Sequence, residues 1–181
     1  KPNGAIVLFG SEPFSSALRM SNIKNYKYDW IWHKNSTSGF ALAKKQPMRN
    51  HENILLFYKK QCTYNYIKEK RDMSESSTNR MNYDFTSIKG INNIQNGIAK
   101  VQFIPEDKNL SYPKTVKYFK NIANNDKDRV HPTQKPVALM EYLIKTYTLE
   151  NELVLDFTMG SGTTGVACKN LHRNFIGIEL E

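Results

Sequence analysis

Residues 155–167, "LDFTMGSGTTGVA", set three glycines in GxGxxG order between an apolar run and a helix-like run. Gly160, Gly162 and Gly165 let a backbone turn tightly, approach a ligand closely and pack a helix against a strand. The flanks agree with that reading. "ELVLDF" (152–157) has the apolar, β-branched character of a buried strand, "TTGVACKNL" (163–171) of a helix, and "NFIGIEL" (174–180) of a second strand. Strand, glycine turn, helix and a strand closing on an acid form a mononucleotide-type βαβ unit, which commits the chain to the α/β class with a mainly parallel twisted sheet.

The turn also narrows the ligand. Glu179 follows Gly160 by 19 residues, at the end of the next strand, where a carboxylate can take two ribose hydroxyls. A nucleoside triphosphate needs the lysine of GxxxxGK[ST], and Thr163 and Thr164 stand after Gly162 instead. A dinucleotide would set its pyrophosphate near Asp156, at about 4 kcal/mol of repulsion per unit charge pair for ~4 Å and an effective dielectric near 20. S-adenosylmethionine has no phosphate. Its sulfonium and ammonium suit Asp156, its ribose suits Glu179, and its carboxylate suits the amides at the helix start formed by Ser161, Gly162, Thr163 and Thr164. Asp156 capping its own turn is the plain alternative, and a nicotinamide-dependent oxidoreductase is the rival that would use the same glycines.

Charge divides along the chain. Residues 1–130 carry 22 Lys and Arg against 11 Asp and Glu, whereas residues 131–181 carry 4 against 6, within a total of +9. The first portion suits a polyanion such as double-stranded DNA. No apolar run reaches the roughly 18 residues of a membrane span, and no leader precedes a cleavage site, so a soluble, cytoplasmic protein is expected, without a membrane partner. Cys62 and Cys168 lack partners at ligand spacing, which points to two free thiols and no metal site.

Elsewhere "AIVLF" (5–9) reads as a buried strand and "PFSSALRMSNI" (13–23) as a helix opened by Pro13. In "YKYDWIWHK" (26–34), Tyr26, Tyr28, Trp30 and Trp32 share one face of a strand, and the tryptophans belong to the core. Residues 35–50 form a basic loop, with Lys34, Lys44, Lys45 and Arg49 as phosphate contacts, and "ENILLFYKK" (52–60) is a further strand. After the polar stretch 61–130, where Arg71, Arg80 and Lys89 are candidate DNA readers, Pro136 opens a helix with Leu139, Leu143 and Tyr147 on one face.

Taken together, "NGAIVLFGSEPFSSAL", "YDWIWHKNSTSGFALAKKQPMRNHENILLFYKK", "HPTQKPVALMEYLI", "VLDFTMGSGTTGVA" and "RNFIGIELE" resemble the amino-methylating DNA methyltransferases of the circularly permuted β-type arrangement, which modify adenine N6 or cytosine N4. The resemblance implies a Rossmann-like, S-adenosylmethionine-dependent fold with helices on both faces of the sheet. It assigns 1–60 to the later part of the target-base half, 61–130 to a variable basic recognition region and 131–181 to the donor-binding half. It also sets His131, Thr133 and Lys135 against the cofactor, beside Asp156, Phe157 and the glycine turn. Two departures stand out. The family writes Asp-Pro-Phe-x-Gly-Ser-Gly where this chain has its aromatic, Phe157, one place early. Its catalytic Asp/Ser-Pro-Pro-Tyr/Phe segment has no counterpart, because no Pro-Pro pair occurs in the 181 residues. That segment is expected upstream of Lys1, with its strand between those of 5–9 and 152–157, so the chain is expected to be one piece of a larger enzyme, completed by its missing half or by a homodimer. A non-catalytic remnant that binds DNA or cofactor is the alternative, and restriction partnering and solitary regulation leave the same marks.

Overall fold

A computed structural model of the chain describes residues 1–70, 110–123 and 129–180. They fall into two compact units, Lys1–Tyr66 with Lys114–Glu181, and Ile67–Pro113.

The first unit opens with β1 (Ile6–Gly10) and α1 (Phe14–Ser21), followed by β2 (Tyr26–Ser38) and β3 (Arg49–Phe57). A short strand, β6 (Val116–Tyr118), precedes α2 (Val137–Tyr147), β7 (Leu153–Asp156), α3 (Thr163–Asn170) and β8 (Asn174–Gly177). Four strands join in the order β1-β3-β2-β6, and β7 pairs with β8. The second unit contributes one described antiparallel pair, β4 (Glu69–Lys70) with β5 (Leu110–Ser111). Arg71, Arg80 and Lys89 lie outside the described residues.

Strand direction is mixed where a mainly parallel sheet was expected. The β7–β8 and β2–β6 pairs are parallel, as the βαβ reading requires, but β3 runs antiparallel to both β1 and β2. The cause is the hairpin at 39–48, which returns the chain directly alongside β2; a strand that follows by a hairpin is antiparallel by construction.

Alternation along β2 and β3 builds the main core. Trp30, Trp32, Ile54 and Leu56 are buried against Leu139, Leu143 and Tyr147 of α2. Leu55 points to the opposite face, where α1 packs: a Cβ on Gly10 would meet Ser15, Phe14 and Leu55. Helices thus cover both faces of this sheet. A second cluster joins Ile144 to Ala167, Cys168 and Leu171, with Val137, Met140, Val154 and Phe175 around it. Because α2 supplies residues to both clusters, it fastens β7–β8 to the larger sheet. The two cysteines are free and buried, and burial pushes both thiols up.

Two stretches grouped by sequence with the 61–130 insert belong instead to this unit. Cys62 sits in the main core, Asn65 Nδ2 donates to the carbonyls of Lys145 (2.9 Å) and Thr148 (3.1 Å), and Val116–Tyr118 pairs with Ile31–His33. The polar composition around them hid these few anchoring residues.

β1 and β7 each pair on one side only among the described residues. The segments that precede them meet, Lys1 Nζ reaching Glu152 Oε1 at 2.6 Å. Between them lies a cavity of about 670 Å³ lined by Ala5–Phe9 and Leu153–Phe157. No described helix is long and apolar enough to cross a membrane.

Candidate cofactor and nucleic-acid site

The glycine turn is built by backbone bonds that continue the β7–β8 ladder past its end. Ile178 N donates to Asp156 O (2.9 Å) and Met159 N to Ile178 O (3.0 Å), so the chain after β8 runs beside the turn. That brings Glu179 to it, and Gly160 N donates to Glu179 Oε2 at 2.6 Å. Gly160 and Gly162 have φ of 50° and 72°, in the left-handed region that glycine occupies without a Cβ penalty. Gly165 answers a different need: a Cβ there would stand 2.8 Å from Phe175 Cε1, so the missing side chain lets α3 close on β8.

Asp156 ends β7 with both carboxylate oxygens engaged by the turn. Oδ1 accepts from Thr158 N at 3.2 Å, and Oδ2 accepts from the Thr164 hydroxyl. The turn-capping role of Asp156 is therefore realised, and the residue also lines the cavity. Ser161 and Thr163 hydroxyls share a hydrogen bond of 2.9 Å at the start of α3.

The segment before α2 forms the facing wall. His131 lays its ring 3.6 Å from where a Gly160 Cβ would be, and its Nδ1 faces Thr133 N (3.3 Å) and Oγ1 (3.0 Å). Lys135 Nζ donates to Thr133 O (3.1 Å), stands 3.5 Å from Glu52 Oε2 and lies over the Phe9 ring at 5.2 Å. One lysine thus ties the pre-helical segment to β1 and β3.

Of the candidate cofactor residues, Asp156, Phe157, Gly160, Ser161, Thr163, Thr164, Glu179, His131, Thr133 and Lys135 all line this cavity. Gly162 shapes the turn as the residue before α3 without lining it. Two further residues carry no functional signal in the sequence, Phe9, which lines the cavity, and Glu52, which reads there as a strand-entry polar group. Phe9 hid in a core-like run, and the partnership of Glu52 with Lys34 and Lys135 arises only from strand register, which sets it opposite Trp32.

The candidate DNA contacts separate. Lys44 and Lys45 are exposed on the 39–48 hairpin loop, and exposed Arg49 begins β3, its Nη2 donating to Glu12 O at 3.2 Å. Lys34 is drawn inward to Glu52 and over the Trp32 ring at 4.6 Å. Among the described residues, no three His, Cys, Asp or Glu side chains converge as a metal site would need.

A glycine turn opening a helix and an acid carried back to that turn are the arrangement by which α/β folds hold nucleosides. All 181 residues match the DNA methylase family of N6/N4 methyltransferases, and the chain belongs to that family. It is 29% identical to the type II methyltransferase M.HpaI of Haemophilus parainfluenzae over 99% of this chain and 50% of that one. It is 34% identical to the type II methyltransferase M1.MboII of Moraxella bovis over 84% of this chain and 57% of that one. Among solved structures, the M1.HpyAVI–SAM complex superposes with a TM-score of 0.60 at 30% identity, covering 100% of this chain and 70% of that one. The cytosine-N4-specific PvuII DNA methyltransferase shares the fold with a TM-score of 0.63 at 18% identity, covering 61% of that chain. The chain spans about half the length of the curated relatives it matches along most of its own.

Proposed function

We propose that this chain is the donor-binding and DNA-contacting part of an S-adenosylmethionine-dependent methyltransferase acting on the exocyclic amine of a base in double-stranded DNA, adenine N6 in preference to cytosine N4. The observation that carries the reading is the convergence of Glu179, Asp156, the start of α3 and the His131–Lys135 segment on one cavity.

The donor set fits the cofactor. Glu179 keeps Oε1 free of the Gly160 bond and can accept from ribose hydroxyls. The amides opening α3 suit a carboxylate, and Asp156 supplies negative charge for an ammonium or sulfonium. His131, Thr133 and Lys135 close the facing wall. When bound, the cofactor supplies an electrophilic methyl group on a sulfonium. Because an aromatic amine is a weak nucleophile, the protein's task is to hold the base in line and exclude water, with no covalent enzyme intermediate.

The acceptor side requires an Asp- or Ser-Pro-Pro-Tyr/Phe segment that residues 1–181 do not contain. We infer that the half-paired edges of β1 and β7 receive its strand, which would fill the part of the cavity between them and set that segment beside the glycine turn. Calorimetry on the 181-residue chain with S-adenosylmethionine and with NAD tests the donor. Saturable binding of the first, lost in Glu179→Gln, is expected; preferential NAD binding would reverse the assignment. Labelled-methyl transfer to DNA tests the chemistry. The expected result is donor binding without turnover by this chain and turnover by a chain that also carries the Pro-Pro segment. Donor and DNA binding without turnover in that longer chain would establish the remnant reading.

A further inference from the structure

We propose that Phe40 is a wedge that enters the base stack of bound duplex DNA. This rests on the DNA reading above and assigns a residue to how the duplex is deformed.

β2 and β3 continue outward to Ser38 and Arg49, beyond the core formed by Trp30, Trp32, Ile54 and Leu56. Their connection is ordered by its own backbone. Gly39, with φ of 89°, starts a 3-10 turn over Phe40–Leu42, and Lys45 N and Gln46 N both donate to Leu42 O at 2.8 and 3.0 Å. Every residue from 35 to 49 is exposed. Phe40 is 85% exposed, against 46% for Leu42 and 42% for Met48. A phenyl ring held that far into water by an ordered turn has no role in the core formed by the described residues.

The loop's charge identifies its partner. Residues 35–49 contain Lys44, Lys45 and Arg49 and no acid, so an apolar tip is flanked by cations alone. A protein partner for an exposed phenyl requires no such balance, whereas a phosphate backbone does. Apolar side chains inserted between base steps, with cations on adjacent phosphates, are a general means of unstacking and kinking a duplex. An enzyme that must extract a base from the stack gains from a ring that fills or props the step it opens.

The test needs no knowledge of the recognition sequence. Fluorescence anisotropy on the 181-residue chain compares an intact labelled duplex with the same duplex carrying one abasic site, where unstacking is already made, across a salt series. The wild-type chain is expected to favour the abasic duplex, and Phe40→Ala to lose that preference by roughly 5- to 150-fold, the span of a lost base–aromatic stack. Phe40→Trp should keep it. Because Phe40 is exposed, neither change touches the core. Equal preference in wild type and Phe40→Ala overturns the wedge while leaving salt-dependent DNA binding intact. Absence of salt-dependent binding to either duplex overturns the DNA reading itself, and the wedge with it.

Discussion

The hydroxyl of Tyr147 shows how a single atom organises the main core. It accepts from the buried Trp30 indole N–H and lies 3.0 Å from the Tyr28 hydroxyl, with burial first and the Tyr28 bond second holding its ionisation far above the ordinary tyrosine range. Tyr147→Phe leaves that indole N–H buried without a partner, a loss of about 1–3 kcal/mol, whereas Tyr28→Phe leaves the Trp30 bond in place and should cost less. Urea unfolding of the two variants checks the order. Glu152 offers a pH test. Lys1 first, and then the Leu149 amide, hold its carboxyl below the ordinary value of 4.5. A depressed folded-state value contributes stability above the unfolded value and loses it as pH falls through the folded one. Stability should therefore drop on acidification below about 4.5 less steeply in Glu152→Gln than in the wild type, read from denaturation midpoints between pH 3 and pH 6.

Among the elements, α3 and β8 meet only because Gly165 has no side chain. Alanine would gain up to about 1 kcal/mol of helix propensity, yet its Cβ would stand 2.8 Å from Phe175, and overpacking of that kind costs about 1–3 kcal/mol. Gly165→Ala should thus be destabilising, and Phe175→Leu in the same chain should recover part of the loss, as a double-mutant cycle in urea would read. The same motif marks where sequence reasoning succeeds. The period-two pattern of Tyr28, Trp30 and Trp32, the helical spacing of Leu139, Leu143 and Tyr147, and the glycine order each report a local regularity, and local regularity is written in adjacent residues. Pairing is not: Tyr26, expected on the same face, is turned by a bulge before Tyr28 to the other side of the sheet, where its ring meets Phe57. That β3 inserts between β1 and β2, and that Glu52 thereby meets both Lys34 and Lys135, depends on which strand finds which neighbour. Cys62 and Val116, embedded in polar stretches, carried no periodic signal, although one lies in the core and the other adds an edge strand.

At the scale of the whole molecule, the proposed function puts its two binding tasks on portions of opposite charge balance. The excess of cations lies in residues 1–130, while the proposed donor cavity draws its carboxylates, Asp156 and Glu179, from a portion with more acids than bases. The two equilibria should respond differently to salt. Duplex binding releases condensed counterions, with a slope of log K against log salt near −0.9 per neutralised phosphate. Lys44, Lys45 and Arg49 alone imply a slope of about −2.7, or roughly a 40-fold loss of affinity between 50 and 200 mM salt, steeper by whatever Arg71, Arg80 and Lys89 add. Lys34 adds little, since Glu52 already neutralises it. Donor binding releases no such atmosphere and should change only a few-fold over that range. Replacing Lys44 and Lys45 by alanine should flatten the duplex slope by about 2 and leave the donor isotherm where it was. A slope unaltered by that double change would move the phosphate contacts off the hairpin, and a donor affinity that fell with it would mean that the two sites are not electrically separate.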